Sequence, residues 1–115
     1  MNIKLSPLLF SMAESREIVR MRRKLGVELL WIYILSLLKK EPSHAYALRK
    51  QISDAFGFLP GNVSAYVVLY KLEARGFVSG KKDGNKTVYS ITSSGKKLLE
   101  DARKELKKME KSLSF

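Results

Sequence analysis

The stretch from Asn62 to Thr92 constrains this chain most. Asn62 to Arg75 has the residue spacing of a helix. Gly76 punctuates its end, since glycine reaches the left-handed conformation that closes helices without steric cost. Phe77 and Val78 open a strand, Lys81-Lys82-Asp83-Gly84-Asn85-Lys86 reads as a turn, and Thr87 to Ile91 reads as the returning strand. Asp-Gly and Gly-Asn supply the positive φ of a tight hairpin. A helix feeding directly into a basic-tipped hairpin is the pattern of a winged helix-turn-helix, in which the helix enters a nucleic-acid groove and the hairpin lies along phosphates. The expected fold is mainly α (α+β): a winged helix-turn-helix with a two-stranded wing, an N-terminal helical extension and a long C-terminal dimerisation helix.

Charge points to the same class of partner. Lys and Arg number 22 against 11 acidic residues, a net charge of +11. Residues 1–60 carry 10 basic and 5 acidic side chains, and residues 61–115 carry 12 and 6. The excess is therefore spread over folded elements, not held in a tail. Such a balance suits a polyanion, nucleic acid before an anionic membrane surface; the bland alternative is a merely lysine-rich surface. The chain has no cysteine, which leaves no disulfide, thiolate zinc site or cysteine nucleophile and fits a reducing cytoplasm, the expected location. Leu5 to Met12 is a short apolar run interrupted by Pro7, poor as a signal peptide. Leu25 to Leu38 is strongly apolar but includes Glu28 and falls short of the roughly 20 residues a bilayer span needs, so no membrane association is expected.

Punctuation divides the 115 residues into an N-terminal helical extension (1–25), a winged helix-turn-helix DNA-binding domain (26–92) and a C-terminal dimerisation helix (93–115). In the extension, Ser15 is a cap for a helix through Ile18, Val19 and Leu25, made basic by Arg16, Arg20, Arg22, Arg23 and Lys24. Gly26 marks a kink. Val27 to Lys40 is then a helix apolar on every face, which must be buried on more than one side, by another chain or by the extension folded back. Glu41-Pro42 ends it, because the residue before proline is pushed out of the α region. Ser43 is the expected N-cap of the next helix, Ser43 to Phe56, which Gly57 stops.

In the Asn62–Arg75 helix, Ala65, Tyr66, Leu69 and Leu72 share an arc expected to pack inward, while Ser64, Val67, Val68, Lys71 and Arg75 lie opposite. The edge Ser64, Val68, Lys71, Arg75 offers apolar contact for thymine methyls and cations for guanine edges or phosphates. Lys81, Lys82 and Lys86 are expected to clamp phosphate from the wing, with Tyr46 and Arg49 as supports from the preceding helix. A protein-facing role for Val67 and Val68 is the alternative, and it would make the chain a winged-helix interaction module within a transcription assembly. Leu99, Ala102, Leu106, Met109 and Leu113 follow the spacing of a coiled-coil seam, expected to join two copies, with Trp31 at the interface. The other reading is an amphipathic helix packed on its own domain. His44, the single histidine, reads as a structural hydrogen-bonding group with no serine or carboxylate to make it a base. No Gly-rich phosphate loop, metal-ligand cluster or catalytic dyad is present, so no enzyme, cofactor or metal is expected.

Three motifs then carry a resemblance. Pro42-Ser43-His44-Ala45-Tyr46-Ala47-Leu48 is similar to the P-x-H-G-Y-x-L opening of the second helix in PadR-family transcriptional regulators. Tyr66, Leu69, Leu72, Glu73, Gly76 and Val78 match the family's Y-x-x-L-x-x-L-E-x-x-G-x-V pattern, and Tyr89, Thr92 and Gly95 match its Y-x-L-T-x-x-G pattern. The resemblance covers about residues 22–110. It implies a homodimeric, double-stranded-DNA-binding repressor or activator that reads inverted repeats. It also implies room for a small-molecule effector, because some relatives bind drugs or phenolic acids at the dimer interface, where Trp31 could stack one. The departures are Ala45 and Val63 in place of glycines and Ser64 in place of threonine.

Overall fold

The structure, a computed structural model, describes residues 14–115 apart from Phe58, with Asn62 and Val63 described for their backbone only. The readings of Leu5–Met12 and Pro7 fall outside these residues. The elements are α1 (Arg16–Glu28), α2 (Leu30–Lys40), β1 (Ser43–His44), α3 (Ala45–Phe56), α4 (Asn62–Ala74), β2 (Val78–Asp83), β3 (Lys86–Ile91) and α5 (Ser93–Ser112).

Most of the punctuation acts as the sequence suggests. The Ser15 hydroxyl accepts from the Ile18 amide and caps α1. Glu41 is extended and ends α2. Gly57 is left-handed, with φ 79°, and donates to the Ser53 carbonyl. Gly76, with φ 82°, donates to the Glu73 carbonyl while Phe77 donates to Leu72, so two otherwise orphan carbonyls of α4 are satisfied. Thr92 caps α5 by accepting from the Gly95 amide, and its hydroxyl donates to the Gly76 carbonyl at 2.6 Å. That joint holds α5 against the end of α4. It is also tight: a Cβ on Gly95 would lie 2.1 Å from the Phe77 carbonyl oxygen.

Three expectations are corrected. The chain does not kink at Gly26, which is buried within α1; the break comes at Leu29, whose backbone leaves the helical region. Ser43 does not cap α3. It lies in β1 and pairs with Tyr89 of β3, and His44 occupies the cap position without a side-chain cap bond. The sheet therefore has three antiparallel strands in the order β1-β3-β2. The hairpin is also longer and tighter than read. Its ladder runs from Val78↔Ile91 to Asp83↔Lys86 and leaves only Gly84-Asn85 as the turn. Gly84 has positive φ and Asn85 does not, which suits a two-residue turn with its left-handed residue first.

The core is built around α2. Ile34 and Leu35 are fully enclosed, and Leu48 and Ile52 of α3, Leu69 of α4, Val78 and Tyr89 of the sheet, and Leu99 and Ala102 of α5 converge on them. Each fully buried Leu or Ile contributes about 1.5–3 kcal/mol relative to exposure. Tyr33 of α2 stacks on Phe56 of α3 at 4.3 Å. So four elements of its own chain cover most of α2 and α1 adds a light contact, while Trp31, Tyr33 and Leu37 stay partly exposed.

Candidate nucleic-acid interface

Helix α4 meets three environments. Ala65, Leu69 and Leu72 face the core. Tyr66 does not pack inward with them as expected: it is 39% exposed and faces the wing with Tyr70, their rings 6.3 Å apart. The wing is tied to this side of α4 by Gly80, whose amide donates to the Glu73 carboxylate at 2.9 Å. A side chain there would force its neighbours to shift and break this bond, because a Cβ on Gly80 would lie 2.9 Å from both that carboxylate and the Thr87 methyl.

The start of α3 closes the third wall. His44 stacks on Tyr46 with ring centroids 5.8 Å apart. His44 Nδ1 lies 3.3 Å from the Thr87 carbonyl oxygen, a hydrogen bond that needs the proton on Nδ1. The His44 expectation of a structural bond is thus met by a link from α3 to the wing. Lys86 Nζ donates to the Tyr46 hydroxyl at 3.3 Å and lies 4.9 Å from the centre of its ring. His44, Tyr46, Tyr66, Tyr70, Lys86 and Tyr89 line a polar-aromatic recess of about 230 Å³. Burial pushes the Tyr89 phenol above its ordinary value, and the Glu73 carboxylate and the phenols of Tyr70 and Tyr66 add to this, so Tyr89 stays neutral near pH 7.

The opposite flank of α4 is apolar. Ser64, Val67 and Val68 share a groove with Arg23, Val27 and Leu59. Val68, Lys71 and Arg75 border a second groove of about 440 Å³ with Trp31, Phe77 and Leu98. The expected edge of Ser64, Val68, Lys71 and Arg75 is therefore real as a line of residues, but it faces away from the wing, and Val68 is half-buried against the core. Arg49 is partly committed: its Nε donates to the Pro60 carbonyl at 2.6 Å and braces the turn into α4. On the wing, Lys81, Lys82 and Lys86 are all exposed. The register puts Lys81 and Lys86 on one face of the hairpin and Lys82 with Thr87 on the other, so the three straddle the wing. The residues missed in the sequence are Tyr66 and Tyr70; their i, i+4 spacing beside Tyr46 was the available signal.

The seam of α5 divides in two. Leu99 and Ala102 belong to the chain's own core at 3% and 8% exposure, whereas Leu106, Met109 and Leu113 are 40%, 63% and 77% exposed. Among the described residues no helix is long and apolar enough to cross a membrane.

With this geometry in place the comparisons are decisive. Residues 34–101 match the Transcriptional regulator PadR-like family. The chain belongs to that family. Its folded relatives agree. A proposed transcriptional regulator of Thermoplasma acidophilum is 34% identical, with a TM-score of 0.64, over 78% of this chain and 92% of that one. A PadR family transcriptional regulator of Eggerthella lenta shares the fold at 22% identity, with a TM-score of 0.71, over 92% and 93% of the two chains. Bacillus subtilis PadR, solved in complex with operator DNA, is 29% identical, with a TM-score of 0.57, over 64% of this chain and 46% of that protein. No curated protein matches the sequence significantly. As a PadR-like chain, it presents its winged helix with α4 as the helix that leads into the wing.

Proposed function

We propose that this PadR-like protein is a sequence-specific DNA-binding regulator, acting as a homodimer on an inverted-repeat operator. The observation that carries the reading is the meeting of Tyr46, Tyr66, Tyr70 and Lys86 where the start of α3, the outer side of α4 and the wing converge. Exposed phenols there present both a flat apolar face and a hydroxyl, suited to sugar, base edge and phosphate together. In this reading α4 enters the major groove, led by Ser64, Val67, Tyr66 and Tyr70. Lys81, Lys82 and Lys86 reach phosphates on both sides of the wing, and Lys71 and Arg75 take phosphates further along the helix. The operator complex of Bacillus subtilis PadR supports DNA as the partner.

Dimerisation is assigned to the exposed half of the α5 seam, Leu106, Met109 and Leu113, joined by Ile18, Met21 and Leu25 of α1, with Trp31 on the adjoining apolar flank. A two-fold dimer presents two α4 helices to half-sites about one helical turn apart, or a multiple of that. The rival role, docking on protein, draws on exposed Val27, Leu59 and Val67. Selection of bound genomic fragments, followed by affinity at two salt concentrations, separates the two. A DNA-binding dimer yields a palindromic site and weakens at least tenfold from low to physiological salt, because each neutralised phosphate adds about 0.9 to the salt slope. No binding to any genomic duplex overturns the regulator reading in favour of protein docking.

A further inference from the structure

Helix α1 carries two unlike edges. Ile18, Met21 and Leu25 are spaced by three and four and form an exposed apolar edge. Arg16, Arg20 and Arg23 are spaced by four and three and form a separate, exposed basic edge. The arginines of α1 are not equivalent. Arg22, off the basic edge, is neutralised by a bidentate ion pair with Glu14. Arg16, Arg20 and Arg23 make no ion pair among the described residues, although Glu14 and Glu17 lie beside them. Among the described residues their guanidinium groups have no hydrogen-bond or ion-pair partner, and guanidinium matches phosphate oxygens two at a time.

The placement of this edge gives it a partner. Arg23 and Val27 lie in one groove with Gly61, Ser64 and Val67, at the N-terminal start of α4. The basic edge therefore leads out from the point where α4 begins, on the flank opposite the wing. Arg16 to Arg23 spans about 10 Å at 1.5 Å per residue, close to three steps between successive phosphates of one strand at about 3.4 Å each along the helix axis. We propose that Arg16, Arg20 and Arg23 are a second phosphate-binding edge, which extends the DNA footprint past α4 on the side away from the wing. The proposal rests on α4 facing DNA as stated above. The wing and α1 would then hold the backbone on the two sides of the same reading helix.

The test is fluorescence anisotropy of the full chain on two duplexes: the selected operator alone, and the same operator lengthened by about six base pairs at each end. The variant R16Q/R20Q/R23Q should lower the slope of log K against log salt on the long duplex by about 5 for the dimer, roughly 0.9 for each arginine in each subunit, and weaken binding there by roughly tenfold or more at moderate salt. The short duplex should lose much less. The variant K104Q/K107Q/K111Q removes the same charge from α5 and should leave the slope unchanged. The proposal is overturned if the arginine variant keeps the parent slope on the long duplex, if both variants lose slope equally, or if light scattering shows that the arginine variant has lost its dimer. A parent that binds neither duplex instead overturns the regulator reading itself, before any variant is compared.

Discussion

The two flanks of α4 are built on opposite plans. Towards the wing, polar and aromatic groups are wired together: Glu73 to the Gly80 amide, His44 to Thr87, Lys86 to Tyr46. Towards α1, α2 and α5, the helix offers Val67 and Val68 to open apolar grooves bordered by Trp31, Val27, Leu59 and Leu98, with Lys71 and Arg75 only at the rim. The wired flank is pre-organised, so its side chains lose little freedom when a ligand binds. The open flank leaves apolar surface uncovered, which suits contact with protein. Under the proposed function the wing-side flank reads DNA with Val67 beside it, the rim cations of the other flank take phosphates, and the dimer seam lies apart on α5.

The largest effect is expected at the proposed dimer seam of α5. Leu106→Glu puts a carboxylate into the exposed half of the α5 seam, and burying it unpaired would cost several kcal/mol, enough to split a modest interface. Light scattering at micromolar concentration should show a dimeric parent and a monomeric variant, with a fold unchanged by circular dichroism. Leu99→Glu should instead unfold the chain, because Leu99 lies in the core. A monomeric parent refutes the dimer, and a Leu106→Glu variant that stays dimeric moves the interface to α1.

On the reading side, Tyr70→Glu sets a negative charge where phosphate or a base edge would lie. The expected loss is about 2–3 kcal/mol, roughly 100-fold in operator affinity, with little change in melting temperature because Tyr70 is exposed. Unchanged affinity would mean that the wired flank is not the one that reads DNA.

What was legible in the sequence was the local chemistry. Ser15, Glu41, Gly57 and Gly76 each set an element's end by a bond or a backbone conformation within a few residues. What was not legible depends on residues far apart in the chain. β1 is two residues long, and it exists because Ser43 and His44 pair with Tyr89 and Val88, more than forty residues away. Gly26 stays helical because it is enclosed, which propensity does not register. Tyr66 faces outward, against the expectation, for a related reason. Val67, Val68, Tyr66 and Tyr70 make the helix apolar or aromatic around most of its circumference, so a wheel finds the core arc but not which neighbour lies beside it. The α5 seam keeps one spacing from Leu99 to Leu113, yet the core ends after Ala102, and nothing in the spacing marks that point.

A smaller effect sharpens the contrast between flanks. Lys71→Ala and Arg75→Ala should each cost about 1 kcal/mol or less per subunit, weaken all duplexes alike, and reduce the salt slope of the dimer by about 1.8. That is the signature of phosphate contacts at the rim. If either change relaxes preference at one operator position, that side chain reads a base, and the division between the flanks is less sharp than drawn. Val68→Asp should lower the melting temperature whether or not DNA is present, because Val68 packs against the core.

The smallest expected change isolates the wiring itself. Tyr46→Phe removes the hydroxyl that accepts from Lys86 and keeps the ring over which the Lys86 ammonium sits. Both groups are exposed, so the bond contributes little to folding, and the melting temperature should shift by no more than a degree or two. In the proposed DNA complex the same hydroxyl would do two jobs: hold Lys86 towards α3 and offer a donor to phosphate. Its loss should weaken the operator by a few-fold, and the effect should shrink in the Lys86→Ala background, because the two groups act as a unit. A double-mutant cycle measures that difference directly. A coupling near zero would mean that Lys86 reaches phosphate independently of Tyr46, and that the reading flank is held by Glu73–Gly80 and His44–Thr87 alone.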